Sequence, residues 1–349
     1  MINGIQQIGI GVEDVQASWD WYRKHFGFDV PVFDDEAEAP LMVRYTGGKS
    51  EMRRAILAMN LNGGGGMEIW QFRNRKPTHA ADPLSLKQTG ILAAKVKCRD
   101  VEMGRASLVQ KGVKASEIRK DPSGKRCFTV FDPHGNAFIV GESNEWYRAN
   151  HHLFGGIEGV LVGVKNLDKS SQFYSDILEV SKEEFRAQGQ QDDLQDLPDG
   201  DCAFNRARLS PAARHTGAFS EIFGNFYIDL IEVTETDTSE HRYKDRFWGD
   251  PGFIHLCFDV NQMNGIRDRA AKHGQPFTVD SGESFSMGEA AGRFAYIEDP
   301  DGTLIEMVET DKIPVAKKLG WYLTLKEKRK SKPLPRWMLA LMALNRVKD

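Results

Sequence analysis

Two short stretches carry residue types that can hold a metal ion. Phe253 to Val260 reads Phe-Ile-His-Leu-Cys-Phe-Asp-Val, an alternation that puts Ile254, Leu256, Phe258 and Val260 on one face of a strand and His255, Cys257 and Asp259 on the other. Further on, Asp299-Pro300-Asp301-Gly302 has the composition of a tight turn and leads into Thr303-Leu304-Ile305-Glu306-Met307-Val308, where Glu306 lies amid apolar neighbours. An imidazole and a carboxylate on two strands of one sheet supply half of a metal site. Acids are embedded in two more apolar runs: Glu68 in Met67-Glu68-Ile69-Trp70, and Asp229 in Ile228-Asp229-Leu230-Ile231. The other histidines, His25, His79, His134, His151, His152, His215, His241 and His273, fall in turns, polar segments or helix ends and read as solvated.

The elements that position these side chains follow one order, repeated. Ile5 to Asp14 alternates as a strand, Asp14 is a suitable N-cap, and Val15, Trp19, Tyr22 and Phe26 have helical spacing until Gly27. Strand-like runs follow at Leu41 to Tyr45, Ala55 to Leu61 and Met67 to Phe72, the last two joined by a glycine-rich hairpin, Gly63 to Gly66. No Lys-Ser or Lys-Thr follows those glycines, so they do not form a phosphate loop. A second pass has strand Ile91 to Cys98, helix Val101 to Lys111 and a hairpin around Asp132-Pro133-His134-Gly135. A third has strand Ile157 to Val164, helix Leu167 to Leu178, strands Cys202 to Leu209, Ser220 to Phe223 and Phe226 to Val233, and a polar insertion, Lys182 to Asp201, read as a loop. The fourth starts at Phe253, with helix Asn261 to Lys272.

Local matches support the repeat. Val12-x-Asp14-x-x-x-Ser18-x-x-x-Tyr22 aligns with Val164-x-Asn166-x-x-x-Ser170-x-x-x-Tyr174, and Phe131-Asp132-Pro133-His134-Gly135 with Glu298-Asp299-Pro300-Asp301-Gly302. The chain therefore reads as a duplicated pair of βαβββ modules, residues 1–150 and 151–310, followed by a basic extension, 311–349.

With 349 residues the chain can build two sizeable cores, and its net charge of −4 gives no basis for a general nucleic-acid role. Cys98, Cys127, Cys202 and Cys257 are scattered without a Cys-x-x-Cys pair, which argues against a disulfide framework or thiolate zinc cluster and for a reducing, cytoplasmic setting. The N-terminus shows no secretory pattern, and no apolar run is long enough to span a bilayer.

Four βαβββ modules, with a polar residue on the first strand and an acid on the last, resemble the vicinal oxygen chelate superfamily, which includes glyoxalase I, extradiol dioxygenases and the bleomycin-resistance proteins. The resemblance spans roughly residues 4 to 310 and implies an α+β fold in which pairs of modules close cup-shaped mixed sheets. It also implies where ligands stand. First-strand positions fall at Gln7, Ala93, Gly159 and His255, and last-strand positions at Glu68, Ile139, Asp229 and Glu306.

If module one pairs with four and two with three, one cup holds Gln7, Glu68, His255 and Glu306, and the other only Asp229. That set resembles the metal ligands of animal glyoxalase I and would suit zinc, nickel, cobalt, manganese or iron(II). Pairing one with two and three with four would instead gather Asp229, His255 and Glu306. The resemblance implies isomerase, lyase or dioxygenase chemistry on a small organic substrate, with Glu306 or Glu68 doubling as a base and Trp70, Phe72, Phe253 and Asp229 around the substrate.

Departures narrow the expectation. Gly11 stands where glyoxalase I has a glutathione-binding arginine, and Phe72 where it has an asparagine, so a glutathione adduct is not the expected substrate. Gly159 replaces the first histidine of the dioxygenase set. A metal-free binding or antibiotic-sequestering protein of the same fold is the alternative.

In the extension, Lys312, Lys317, Lys318, Lys326, Lys328, Arg329, Lys330, Lys332 and Arg336 face few acids and precede the apolar Trp337 to Leu344. This segment is expected to pack on the body or on another subunit, or to attach the protein to an anionic membrane surface.

Overall fold

The computed structural model describes residues 1–213, 216–234, 240–282, 285–287, 290–325 and 327–347. His215 and Lys326 lie outside the described residues, as do the side chains of Lys318 and Lys328. Two curled mixed sheets form the core, and each draws strands from both halves of the chain. The first runs, edge to edge, Val279–Asp280, Ala290–Glu298, Leu304–Ala316, Gly252–Val260, Ile2–Gly11, Gly66–Phe72, Met52–Met59 and Val30–Glu38. The second runs Lys182–Gly189, Phe204–Ser210, Tyr227–Val233, Phe154–Gly163, Gly90–Cys98, Ala137–Glu142, Arg126–Phe131 and Arg119–Lys120. Module one thus shares a sheet with module four, and two with three, through the antiparallel pairs Ile2–Gly11 with Gly252–Val260 and Gly90–Cys98 with Phe154–Gly163.

The repeat motifs have a structural reason. Asp14, Asp100 and Asn166 each cap a helix by accepting backbone amides of its first turn. In each Asp-Pro turn the aspartate accepts the backbone amides two and four residues on, Asp132 from His134 and Asn136, and Asp299 from Asp301 and Thr303. The matched tyrosines tie helix to turn, because Tyr22 donates to Asp132 at 2.5 Å and Tyr174 to Asp299 at 3.2 Å. Helix and turn belong to different modules, so each tyrosine fastens one module to the next.

Several expected elements differ. Leu41 to Tyr45 is not a strand but part of a 3-10 helix, Pro40–Tyr45, and the strand that the module needs is Val30–Glu38. Likewise the insertion from Lys182 is a strand, Lys182–Gly189, and Ser220–Phe223 is a helical turn. Both unexpected strands lie at sheet edges; Val30–Glu38 turns acidic beyond Phe33 and Lys182–Gly189 is mostly exposed and polar, so neither shows a sustained apolar alternation.

The extension is partly core. Leu334, Leu339 and Met342 are buried in the cluster that contains Trp70 and Tyr296, whereas Leu319, Trp321, Trp337 and Leu344 face outwards, the two tryptophan rings 6.5 Å apart. Leu339→Ala is therefore expected to cost about 2–5 kcal/mol in a denaturant melt, as for other buried leucines. Trp337→Ser at 60% exposure should leave the melt unchanged. Equal midpoints for the two variants would mean that the extension does not pack as described.

Candidate metal centre

Four buried side chains converge in the first sheet. Gln7 comes from Ile2–Gly11, Glu68 from Gly66–Phe72, His255 from Gly252–Val260 and Glu306 from Leu304–Ala316, four adjacent strands in the sheet order. His255 Nε2 lies 3.1 Å from Glu306 Oε2 and 3.3 Å from Glu68 Oε2. The Gln7 amide nitrogen approaches the same two carboxylate oxygens at 3.3 and 3.5 Å. One ligand atom from each of Glu68, His255 and Glu306 can be chosen so that all lie within 4.8 Å of one another.

The backbone makes room for this. A Cβ at Gly9 would sit 2.4 Å from His255 Cε1, so the glycine opposite His255 lets the ring lie flat across the neighbouring strand. The strand is irregular there: His255 pairs with Gly9 but Phe253 with Ile10, which leaves Ile254 out of register and turns it into the same cluster as Trp70 and Trp248. Strict alternation placed Ile254 on the face opposite His255; the bulge overrides it.

Burial pushes the His255 imidazole down, but Glu306 and Glu68 outweigh it and bring it up to about 9 when no cation is beside it. Cys257 and Tyr296 are held well above their usual ranges, by burial first and by the same two carboxylates second.

The residues fit a cation. Gln7 Oε1 is buried without a hydrogen-bond partner, and His255 Nε2 makes no well-oriented hydrogen bond to the two carboxylates beside it, which have no arginine or lysine paired to them among the described residues. Exchanging the amide ends of Gln7 turns its oxygen toward the same point. Nitrogen and oxygen donors of this kind suit the borderline and hard divalent ions.

Tyr296, not singled out in the sequence, stands opposite Glu306 across the Asp-Pro hairpin and brings its hydroxyl to 3.3 Å from His255 Nδ1. Register counted outward from the turn would have found it. The space over the site is about 40 Å3, room for a few water molecules but not for an organic substrate. Trp70, Trp248, Phe294 and Tyr296 wall it, with Met42 and Leu41 of the 3-10 helix alongside.

Other residues expected around the substrate lie elsewhere. Phe72 packs under Arg75, whose guanidinium carbon is 4.0 Å from the ring centre. Phe253 stacks on Phe138 of the second sheet, because the bulge turns it away from His255.

Asp229 belongs to the second sheet, at the register position of Glu68: Asp229 pairs with Leu161 as Glu68 pairs with Gly9. Gly159, Ala93 and Ile139 occupy the places of Gln7, His255 and Glu306. Protein cations surround this acid instead. Lys95 Nζ reaches Asp229 at 2.5 Å, Arg208 Nε at 2.7 Å, and Arg206 also donates to it. Burial alone would raise the Asp229 carboxyl, but Lys95, Arg206 and Arg208 reverse this and hold it well below the usual carboxylate range.

Comparison with known proteins agrees with this architecture. The Glyoxalase/Bleomycin resistance protein/Dioxygenase superfamily profile matches residues 4–140 and again 156–307. The chain belongs to that superfamily. Among solved structures, a Bacillus subtilis protein named as a candidate dioxygenase superposes with a TM-score of 0.55 at 15% identity, covering 88% of this chain and 85% of that one. Glyoxalase I from Zea mays superposes with a TM-score of 0.51 at 14% identity, covering 88% and 92%. At these identities the likeness establishes the fold alone. No curated protein matches the sequence.

Proposed function

We propose that the protein is a divalent-metal-dependent enzyme acting on a small oxygenated organic substrate, with Gln7, Glu68, His255 and Glu306 holding the ion. The observation that carries this reading is the convergence of the buried Gln7 amide and His255 Nε2 on two carboxylates that have no lysine or arginine partner among the described residues. A bound divalent ion would supply Lewis-acid polarisation of adjacent substrate oxygens.

The chain's own groups do the rest. His255 presents Nε2 as a lone pair, so Nδ1 keeps the proton and donates it to the Tyr296 oxygen, which fixes the ring. Glu306, at 6% exposure against 2% for Glu68, would be the carboxylate better placed to take a proton from substrate. Trp70, Phe294 and Tyr296 exclude water. Substrate entry requires Pro40–Tyr45 or Trp248 to move, since the space over the site is too small as it stands.

The test is elemental analysis after purification without chelator. We expect one divalent ion per chain, because the second sheet has Ala93, Gly159 and Ile139 where ligands would stand. Protein that neither retains nor takes up zinc, nickel, cobalt, manganese or iron would favour the metal-free binding protein.

For the extension we propose an attachment role: Trp321 and Trp337 are exposed with their rings 6.5 Å apart, and Arg329 and Lys332 of the same segment are exposed too. Sedimentation with anionic vesicles that weakens with salt would identify a lipid surface. A concentration-dependent, salt-insensitive change of mass would identify a second copy, and the absence of both effects would remove the proposal. Among the described residues, no helix is long and apolar enough to cross a membrane.

A further inference from the structure

A separate cavity of about 370 Å3 lies on the other side of Trp248, which lines both it and the space over the metal centre. Its size is that of a small-molecule site. Arg242 and Arg246 line it, with Arg44 also among its walls. Several buried or half-buried arginines elsewhere in the chain, though not Arg99 or Arg148, meet carboxylates: Arg53 meets Asp35, Arg75 meets Asp250, and Arg206 meets Asp193. Arg242 and Arg246 do not, among the described residues. Arg242 donates to Gln88 Oε1 at 3.1 Å and to the Asp82 carbonyl at 3.5 Å, both neutral acceptors. Arg246 donates to the carbonyls of Pro251 and Arg242, and its Nε is buried with no partner.

A third donor stands beside them. His241 Nδ1 accepts the Tyr243 backbone amide at 3.1 Å, so the ring proton is on Nε2, which is buried and unpartnered. Burial keeps this ring neutral, its pKa lowered to about 4, so it offers an N–H rather than a charge. Burial and the neighbouring Arg246 also pull the Arg242 guanidinium below its ordinary range, while the carboxylates that act on His241 are those of Asp301 and Glu298. The remaining walls include five aromatic residues, Tyr45, Tyr243, Phe247, Trp248 and Phe253.

We propose that this chamber binds a small aromatic or similarly apolar organic anion, its carboxylate or phosphate held by Arg242, Arg246 and the His241 Nε2–H and its body lying against Tyr243, Phe247 and Trp248. Guanidinium forks match both kinds of oxyanion, and the aromatic walls discriminate against inorganic ions. The site is independent of the metal centre.

The test is calorimetric titration of the full-length protein, in EDTA, with benzoate, phenyl phosphate and the neutral isostere benzyl alcohol. We expect saturable binding of at least one anion, and which of the two binds tighter identifies the group. Benzyl alcohol should bind at least tenfold more weakly. Arg242→Gln should weaken the anion roughly tenfold to hundredfold, the range for one charge-assisted hydrogen bond, without changing metal content. Because Arg246 also braces its loop, the isostere comparison on the wild-type protein stands apart from any folding defect in a variant. The proposal is overturned if neither anion binds in EDTA, if benzyl alcohol binds as tightly as benzoate, or if a folded Arg242→Gln protein keeps the wild-type affinity. Anion binding that requires metal would place the anion on the metal centre and also overturn it.

Discussion

Glu306→Gln is expected to lower divalent-metal affinity by more than about 100-fold while leaving the metal-free protein as stable as the wild type, or more so. Loss of a partner one step removed from a metal already costs roughly 10–100-fold, and Glu306 is placed to touch the ion itself. Without metal, Glu68 and Glu306 are two buried carboxylates sharing one imidazole, and removing one charge relieves repulsion. His255→Ala should lose metal as well but behave oppositely when metal-free, since both acids then lose their partner. Equilibrium dialysis and melts in EDTA read both quantities. Unchanged metal affinity in Glu306→Gln, or a large loss of metal-free stability, would make the cluster a structural ion pair instead.

Asp229→Ala should have the reverse profile, with metal binding retained and stability lowered by about 3–5 kcal/mol, because it strands Lys95, Arg206 and Arg208 in the core. The sign with pH follows from a folded pKa held below the ordinary value. Asp229 contributes its full stabilisation above the usual carboxylate range and loses it as pH falls through the lower, folded value. The comparison with Glu68→Gln is direct, since the two acids hold the same register position in the two sheets. If both variants melt alike, the distinction between a metal cup and an ion-paired cup fails.

How much of this was legible in the sequence depends on where each residue gets its position. His255, Glu68 and Glu306 were readable because strand parity and an Asp-Pro turn fix them locally, and the repeat then supplies their partners. Gln7 came only through the family resemblance, its amide being unremarkable by itself. Val30–Glu38 and Lys182–Gly189 were missed because an edge strand is specified by its neighbour's hydrogen bonds more than by its own side chains. The run Leu41 to Tyr45 misled because its apolar residues serve the roof of the site, where no period is imposed. Trp248, Arg242 and Arg246 come from a connection whose course is set by tertiary contacts, so no spacing announced them.

The pairing of the first strand with Gly252–Val260 also sets the order in which the molecule can be made. Gln7 and Glu306 are 299 positions apart yet in contact, so the centre cannot assemble until nearly all of the chain has left the ribosome. The inner modules, continuous in sequence, can close their sheet first. The opening module must meanwhile wait with the flank of Ile2–Gly11 bare, a strand edge open to wrong partners during the slowest step of a high-contact-order fold. Under the proposed function, metal would then be acquired last. A stop codon between Val233 and Glu306 would remove a proposed ligand while leaving every strand of the second sheet in the translated chain.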